Sequence, residues 1–368
     1  MLLLTATRDA LLAPLQSVAG IVEKRHTLPI LSNVLLEKQG SDLTLLATDI
    51  EIQITTRATG AAGGENASIT VAARKFQDIL RALPADAEVQ LVLDDKKLTL
   101  RAGKSRFQLQ TLPAADYPRM QRGEGDSVRL VLSQSALRHQ LSQVAYAMAA
   151  QDIRYYLNGL LLVAEGTTLR MVATDGHRLA LAATELESGV ARTEIILPRK
   201  TVLELARQLA DTDEPVEITI TGNQAAFRFG PIELISKLID GKFPDYDRVV
   251  PQGNPKLVKA PRQALLLSLQ RAAILTNEKF RGLRIQLESG LLKIISSNAE
   301  QEEAQEELEV DYSGDSLEIG FNVSYLLDVL NNVGEDEVEI HLNEPMSSAL
   351  FTLPGDANFK AVVMPMRI

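Results

Sequence analysis

The chain has 368 residues, of which 45% are hydrophobic and 4% aromatic, with no cysteine and no tryptophan. This length exceeds what one hydrophobic core usually organises, and the apolar content excludes a disordered chain. The lack of cysteine excludes a disulfide framework, a thiolate metal site and a cysteine nucleophile. The net charge of −10 argues against nucleic acid as a partner unless the basic residues are concentrated on one surface.

The first predicted elements lie in the N-terminal third. The apolar start of the chain is interrupted by Arg8 and Asp9 before it reaches the length of a signal-peptide core, and no later stretch approaches membrane-spanning length. We therefore expect a cytoplasmic protein. Helical spacing of apolar residues predicts helices over roughly 8–21 and 74–83, and a strand pattern covers 51–56.

The same succession of elements is predicted twice more along the chain. The further helices span roughly 135–150, 199–211, 261–275 and 323–333, with strand patterns at 216–220 and 338–342. Two polar stretches that contain glycine, 121–127 and 251–256, have the composition of linkers. Each third is predicted to be α+β, with two helices and about eight strands.

One strand and its turn occur three times in the sequence. Residues 43–49 (LTLLATD) return at 169–175 (LRMVATD), 126 residues later, and more weakly at 292–298 (LKIISSN), after a further 123. The pairs Arg74-Lys75 and Tyr117-Pro118 return at a similar spacing, as Arg199-Lys200 and Phe243-Pro244. Since one spacing relates several separate segments, we predict three tandem copies of one domain, over 1–125, 126–253 and 254–368.

The predicted helices are basic although the chain is acidic. Within their predicted bounds they hold ten basic and five acidic residues, a net charge of +5, which leaves −15 for the strands and loops. If the helices share one surface, that surface can hold a polyanion while the acidic remainder keeps the chain soluble. The alternative is that Arg and Lys lie on solvated helix faces, and charge alone does not decide between the two.

Two aspartates at the repeated position have two interpretations. Asp49 and Asp175 each follow Ala-Thr, and His177 lies near the second, a combination found in metal and general-base sites. The first copy has no histidine, so a turn in which the aspartate closes a strand explains both copies more simply. The four histidines lack metal-ligand spacing and no nucleotide-binding or hydrolase motif occurs, so we expect no catalytic residue, metal or cofactor. A hydrolase built from repeats, with Asp175 and His177 at its core, is the rival hypothesis.

The C-terminal segment 361–368 (AVVMPMRI) stays apolar to its last residue, whereas chain ends are normally polar. One interpretation is a final core strand. The other is the wall of an exposed groove, because methionine side chains adapt to several partner sequences. Composition alone leaves both open.

Five motifs in chain order resemble the bacterial DNA polymerase III beta subunit family, the replicative sliding clamps. They are 154–159 (RYYLNG), 174–179 (TDGHRL), 277–282 (NEKFRG), 320–325 (GFNVSY) and 363–367 (VMPMR), and the turns at 112–118 and 243–246 also match. The resemblance covers the whole chain. It implies a non-catalytic processivity factor in which two three-domain chains join head to tail as a ring, with helices lining the hole around double-stranded DNA and sheets outside.

The resemblance further implies partners and sites. Short peptide motifs of the DNA polymerase III catalytic subunit, the clamp loader, other DNA polymerases and repair proteins would bind in a groove between the second and third domains. That groove would comprise Leu157, Thr174, Gly176, His177, Arg178, Leu179, Pro244, Arg248, Val249, Asn322, Tyr325, Met346, Ser348, Val362, Val363, Met364, Pro365, Met366 and Arg367. The DNA-binding residues would be Arg25, Arg74, Gln151, Tyr155, Tyr156, Arg199 and Lys200.

The homodimer interface implied by the resemblance joins a basic and apolar patch to an acidic run. The first domain would contribute Lys75, Lys104, Arg106, Phe107 and Leu109, and the third would contribute Ile274, Leu275, Glu300, Glu302, Glu303 and Glu306. Two positions depart from the family pattern: Ala150 stands where histidine is frequent, and Gln305 stands where an acid is common.

Overall fold

The computed structural model describes residues 1–23, 28–60 and 62–367, and its N-terminal third has two helices among eight strands. The strands are β1 (Leu2–Thr7), β2 (Asn33–Gln39), β3 (Asp42–Thr48), β4 (Ile52–Ala58), β5 (Ala67–Ala72), β6 (Glu88–Asp94), β7 (Lys97–Ala102) and β8 (Ser105–Pro113). Helix α1 (Arg8–Ala19) follows β1 and α2 (Ala73–Ala82) follows β5. Thr7 caps α1, since its side chain accepts a hydrogen bond from the backbone N–H of Ala10 at 3.3 Å.

The middle third contains six strands in place of the eight or so predicted. They are β9 (Ser127–Ser133), β10 (Gly159–Thr174), β11 (Arg178–Pro198), β12 (Pro215–Thr221), β13 (Gln224–Phe229) and β14 (Ile232–Lys237), with helices α3 (Gln134–Val144) and α4 (Arg199–Gln208). The difference arises because β10 and β11 stay paired through Gly166, at shifted register, and form one long hairpin. Each long strand takes the place of two shorter ones.

The C-terminal third repeats the pattern of the first. Its strands are β15 (Lys256–Pro261), β16 (Gly282–Glu288), β17 (Leu291–Ser297), β18 (Glu303–Glu309), β19 (Leu317–Asn322), β20 (Glu337–Leu342), β21 (Ala349–Leu353) and β22 (Asp356–Val363). Helix α5 (Arg262–Ala273) follows β15, and α6 (Val323–Asn331) follows β19 with Asn322 as its N-cap. Every strand pair in the described residues is antiparallel, so the predicted α+β class, with two helices in each third, is confirmed.

The chain divides into two compact units. The first, residues 1–135 with 207–238, holds a twelve-stranded sheet in the order β1-β6-β7-β8-β5-β2-β3-β4-β14-β13-β12-β9. The second, residues 136–206 with 239 onward, holds a six-stranded sheet, β10-β11-β22-β21-β20-β15, and a four-stranded one, β18-β17-β16-β19. Among the described helices, none has the length and apolar character needed to cross a membrane.

Each unit contains one junction between successive thirds. In the first unit β4 pairs with β14, and Ile54 lies opposite Leu234. In the second unit β11 pairs with β22, and Leu179 lies opposite Val362. The two junctions join equivalent strands of the repeat, so sheets continue from one third into the next.

The cores consist mainly of aliphatic side chains, as expected from the low aromatic content of the chain. Several phenylalanines are also fully buried. Phe76, Phe227 and Phe321 are each at most 1% exposed. Full burial of such a side chain contributes about 1.5–3 kcal/mol. A smaller cluster in the second unit, around Leu157, Leu179 and Val362, underlies the site described next.

Candidate functional site

The turn between β10 and β11 is built on its own side chains. The Thr174 hydroxyl donates to the Arg178 carbonyl at 2.6 Å and accepts from the Gly176 N–H at 3.1 Å. One carboxylate oxygen of Asp175 accepts from the N–H groups of His177 and Arg178 at 2.9 and 3.1 Å. This oxygen is therefore already hydrogen-bonded to the backbone of its own turn.

The turn between β3 and β4 has the same bonds. The Thr48 hydroxyl donates to the Ile52 carbonyl at 2.9 Å and accepts from the Ile50 N–H at 3.0 Å. Asp49 accepts from the N–H groups of Glu51 and Ile52 at 2.9 and 2.8 Å. The turn interpretation of both aspartates is confirmed. Within 1–23, 28–60 and 62–367, no group of three or more His, Asp or Glu residues is placed to hold a metal ion.

Glycine at position 176 makes room for an arginine. Gly176 has φ +88°, and a Cβ there would lie 3.0 Å from an Nη atom of Arg154. Arg154 donates to the Asp175 carbonyl at 3.2 Å and pairs with Asp152 at 2.9 Å, and this bond to Arg154 lowers the pKa of Asp152 to about 2. The equivalent residue of the first turn, Ile50, has φ +73° and carries a side chain. Backbone conformation alone therefore does not require glycine at 176.

Replacing Gly176 with alanine should destabilise the fold more than replacing Gly166, which also has positive φ but has nothing within 4 Å of its Cβ position. Both variants pay the cost of a left-handed residue, about 1 kcal/mol. Gly176→Ala should lose about 1 kcal/mol more, because Arg154 must move and its hydrogen bond weakens. Urea unfolding of the two variants measures the difference, and equal losses would show that Arg154 adapts freely.

Arg178, at the start of β11, is surrounded on several sides. Its guanidinium donates to Asp175 at 3.1 Å, to Asp328 on α6 and to the Tyr146 carbonyl at 2.7 Å. It also lies 4.7 Å from the centre of the Tyr325 ring and 5.6 Å from that of Tyr146. Burial raises the pKa of both tyrosines, and Arg178 opposes that rise. The side chain of Arg178 is only 12% exposed, so most of it lies beneath the surface.

The C-terminal segment has two parts. Residues up to Val363 belong to β22, between β11 and β21, and Val363 is fully buried. Beyond it, the Met364 N–H donates to the His177 carbonyl and the Met366 N–H to the Gly320 carbonyl, both at 2.9 Å. Met364 is 44% exposed. The core-strand interpretation is therefore confirmed as far as Val363, and an attached, partly exposed tail with two methionines follows; that this tail forms the wall of a groove stays a prediction.

A buried apolar floor lies beside this tail. Leu157, Leu179 and Val362 are each 1% exposed and belong to one cluster with Phe243 and Tyr246. Val249, three residues after Tyr246, is an apolar side chain that is 44% exposed. The His177 ring stacks on Tyr325 with centroids 6.4 Å apart. Apolar floor, aromatic wall and methionine tail are features of a site for an apolar peptide.

All the predicted groove residues lie in the second unit, and most are linked by these contacts. Met346 is 58% exposed and Arg248 is 87% exposed with an ion pair to Asp245, so neither is fixed against the floor. The sequence did not indicate Arg154 and Asp328, whose side chains contact residues of this turn. Arg154 lies in the RYYLNG motif, which was a usable signal, whereas Asp328 had none.

The predicted DNA-binding residues lie in both units. Arg25 lies outside the described residues. Gln151 and Tyr155 are exposed in the loop after α3, with Tyr156 half-buried and its ring 5.8 Å from that of Tyr155. Arg74 is exposed, while Arg199 and Lys200 are partly buried at the start of α4. Within the observed bounds the six described helices carry ten basic and four acidic residues, because Asp211 falls outside α4; their net charge is +6.

The predicted dimer residues are mostly exposed. In the first unit Lys75, Lys104 and Arg106 are exposed, Phe107 is half-buried and Leu109 is buried in the sheet. In the second unit Ile274 is 77% exposed, Leu275 is half-buried, and Glu300, Glu302 and Glu303 are exposed. Glu306 pairs with Arg271 of its own chain at 2.5 Å, and this hydrogen bond lowers the pKa of Glu306.

Comparison with known proteins gives one consistent result. Family profiles of the DNA polymerase III beta subunit match in order: the N-terminal domain over 2–121, the central domain over 131–245 and the C-terminal domain over 247–367. The chain is 51% identical to the beta sliding clamp of Pseudomonas putida and 43% identical to that of Escherichia coli, each over 99% of both chains. A crystal structure of the Pseudomonas aeruginosa clamp bound to griselimycin is similar over the full length of both chains, with 48% identity and a TM-score of 0.95.

Proposed function

This chain belongs to the DNA polymerase III beta subunit family, the sliding clamps, and from that premise we propose how it works: two copies join head to tail in a ring around duplex DNA. As a sliding clamp it is a processivity factor of replication and not an enzyme. We propose that it acts in the cytoplasm and that its three domains span 1–125, 126–253 and 254–368.

Two unfilled sheet edges are the observation that carries the ring. Among the described residues, β18 pairs only with β17, and residues 105–110 of β8 pair only with β7. Strand β18 follows the third copy of the repeated strand, as β4 and β11 follow the first two; β8, β14 and β22 each end their own copy. Since β4 pairs with β14 and β11 with β22, the third junction of this kind requires β18 of one chain and β8 of another.

Charge supports this pairing. The acidic run of the third domain, with Glu300, Glu302 and Glu303 exposed, would face Lys104 and Arg106 of the partner, because opposite charges across an interface guide association. Ile274, which is exposed, and Phe107, which follows Arg106 and is half-buried, would supply apolar area to the same interface. Two such head-to-tail interfaces fill both of these edges in each chain and close a ring.

The helix charge supports DNA inside the ring. With +6 on the helices of an acidic chain, we propose that Arg25, Arg74, Gln151, Tyr155, Tyr156, Arg199 and Lys200 make weak contacts to the phosphate backbone. Weak contacts without sequence specificity allow sliding, while the closed ring prevents loss from the duplex. Ala150 removes one contact available to relatives with histidine there.

The second unit supplies the partner site. We propose that the groove residues predicted from the sequence, together with Arg154, bind short apolar peptides of the replicative polymerase, the clamp loader, other polymerases and repair proteins. The binding energy should concentrate on the floor of Leu157, Leu179 and Val362 and on the tail. The griselimycin complex of the Pseudomonas aeruginosa clamp supports a ligand site on this fold.

A retention experiment tests the ring. Protein loaded on a nicked circular plasmid should stay with the DNA through gel filtration and be lost after a restriction enzyme cuts the circle, because only an encircling protein slides off ends. Blocking both ends of the linear DNA with bound protein should restore retention. Equal retention on circular and unblocked linear DNA would contradict the proposal.

A further inference from the structure

Four side chains form a stack that runs inward from the exposed surface of the second unit. The rings of His177 and Tyr325 lie 6.4 Å apart at an angle of 17°, and the Arg178 guanidinium lies on Tyr325 and near Tyr146. His177 is exposed, Tyr325 is half-buried and Arg178 is nearly buried. The position of the outer rings therefore depends on where the inner guanidinium is held.

Asp328 holds that guanidinium from the side of α6. Tyr325 and Asp328 are three residues apart on the helix and so lie on the same face. One presents its ring to Arg178 and the other its carboxylate. The Asp328 side chain is 41% exposed, and Asp328 is not among the residues predicted to line the groove.

The other partners of Arg178 do not fix its contact with α6. Asp175 belongs to the same turn as Arg178, and Tyr146 lies in the short 3-10 helix Ala145–Ala147 that follows α3. Among the polar contacts of Arg178 in the described residues, only the bond to Asp328 ties it to α6. A hydrogen bond between two charged groups is about twice as strong as one between neutral groups. We therefore expect that loss of the Arg178–Asp328 bond also loosens the contact between Arg178 and the Tyr325 ring.

We propose that Asp328 is a positioning residue for peptide binding: through Arg178 it keeps Tyr325 and His177 in the arrangement that a peptide meets. This inference rests on the proposed function of the groove. Asp328 itself touches no peptide. It pre-forms the aromatic wall, and ordering that wall beforehand reduces what binding has to supply.

The test is a titration of a fluorescein-labelled peptide from the clamp-binding segment of the polymerase catalytic subunit, followed by anisotropy. Asp328→Ala should weaken binding about tenfold, and Asp328→Asn, which keeps an acceptor oxygen in place, about threefold. In an Arg178→Ala background, Asp328→Ala should change the affinity less than about twofold, since its effect passes through Arg178. Glu337→Ala, at an exposed carboxylate of β20, is the matched control and should bind like the unchanged protein.

Each outcome decides one question. No binding by the unchanged protein would overturn the proposed groove and this inference with it. Unchanged affinity in Asp328→Ala, or full additivity with Arg178→Ala, would overturn the inference alone. If Asp328→Ala folds poorly by thermal unfolding, Asp328→Asn still decides, because affinity equal to that of Glu337→Ala would refute the role of Asp328.

Discussion

Replacing both Ile274 and Leu275 with serine should convert the ring into single chains at micromolar concentration. Ile274, the C-cap of α5, is 77% exposed in the single chain, and Leu275 follows it. Burying such a side chain is worth about 1.5 kcal/mol at the low end. A ring has two identical interfaces and Leu275 is already half-buried in the single chain, so the double substitution removes about 4.5 kcal/mol, a factor of about two thousand in the dissociation constant.

Analytical ultracentrifugation over a range of concentrations measures this effect. The control is Ile153→Ser, which alters an isoleucine that is 96% exposed in the loop after α3 and outside the proposed interface. The control should sediment as a dimer, and the double variant as a single folded chain with unchanged circular dichroism. Dimeric sedimentation of the double variant at every concentration would show that the sheet edges or charges dominate the interface.

The sequence predicted the class and the repeat but not the exact elements. Repeated apolar patterns predicted the six α-helices that the described residues contain, because a buried helix face needs apolar residues at helical spacing. Helix ends were less well predicted: α4 ends at Gln208 and not near 211, since polar residues there satisfy either a helix or a loop. The fusion of four strands into β10 and β11 depends on cross-strand pairing around Gly166, which is not a property of either strand alone.

The candidate site was predicted mainly where the repeat or the resemblance named residues. The turn function of Asp175 followed from comparing two copies, and its hydrogen bonds confirm it. The buried position of Arg178 was not foreseen, because an arginine in a polar turn is usually solvated. The contact of Asp328 could not be predicted, because its partner Arg178 is 150 residues away and such long-range pairs leave no local sequence pattern.

Deleting residues 364–368 should weaken peptide binding more than tenfold while leaving the fold and the dimer intact. Strand β22 ends at Val363, which stays paired with β11 and β21, so the deletion removes no core strand. It removes the tail, with its bonds to the His177 and Gly320 carbonyls and the exposed side chain of Met364. Loss of an anchor wall costs at least about 2 kcal/mol, more than tenfold in affinity.

The repeat supplies a matched control for this deletion. The Lys237 N–H donates to the Glu51 carbonyl at 2.9 Å, just as the Met364 N–H donates to the His177 carbonyl, so Lys237 holds the equivalent place at the first junction. Its ion pair with Glu51 is exposed and contributes little, so Lys237→Ala should keep full peptide affinity. Anisotropy titration of both variants, with sedimentation to verify the dimer, separates the two junctions. If the truncated protein is dimeric and binds the peptide as well as Lys237→Ala does, the methionine tail is no part of the groove and only the buried floor remains as its binding surface.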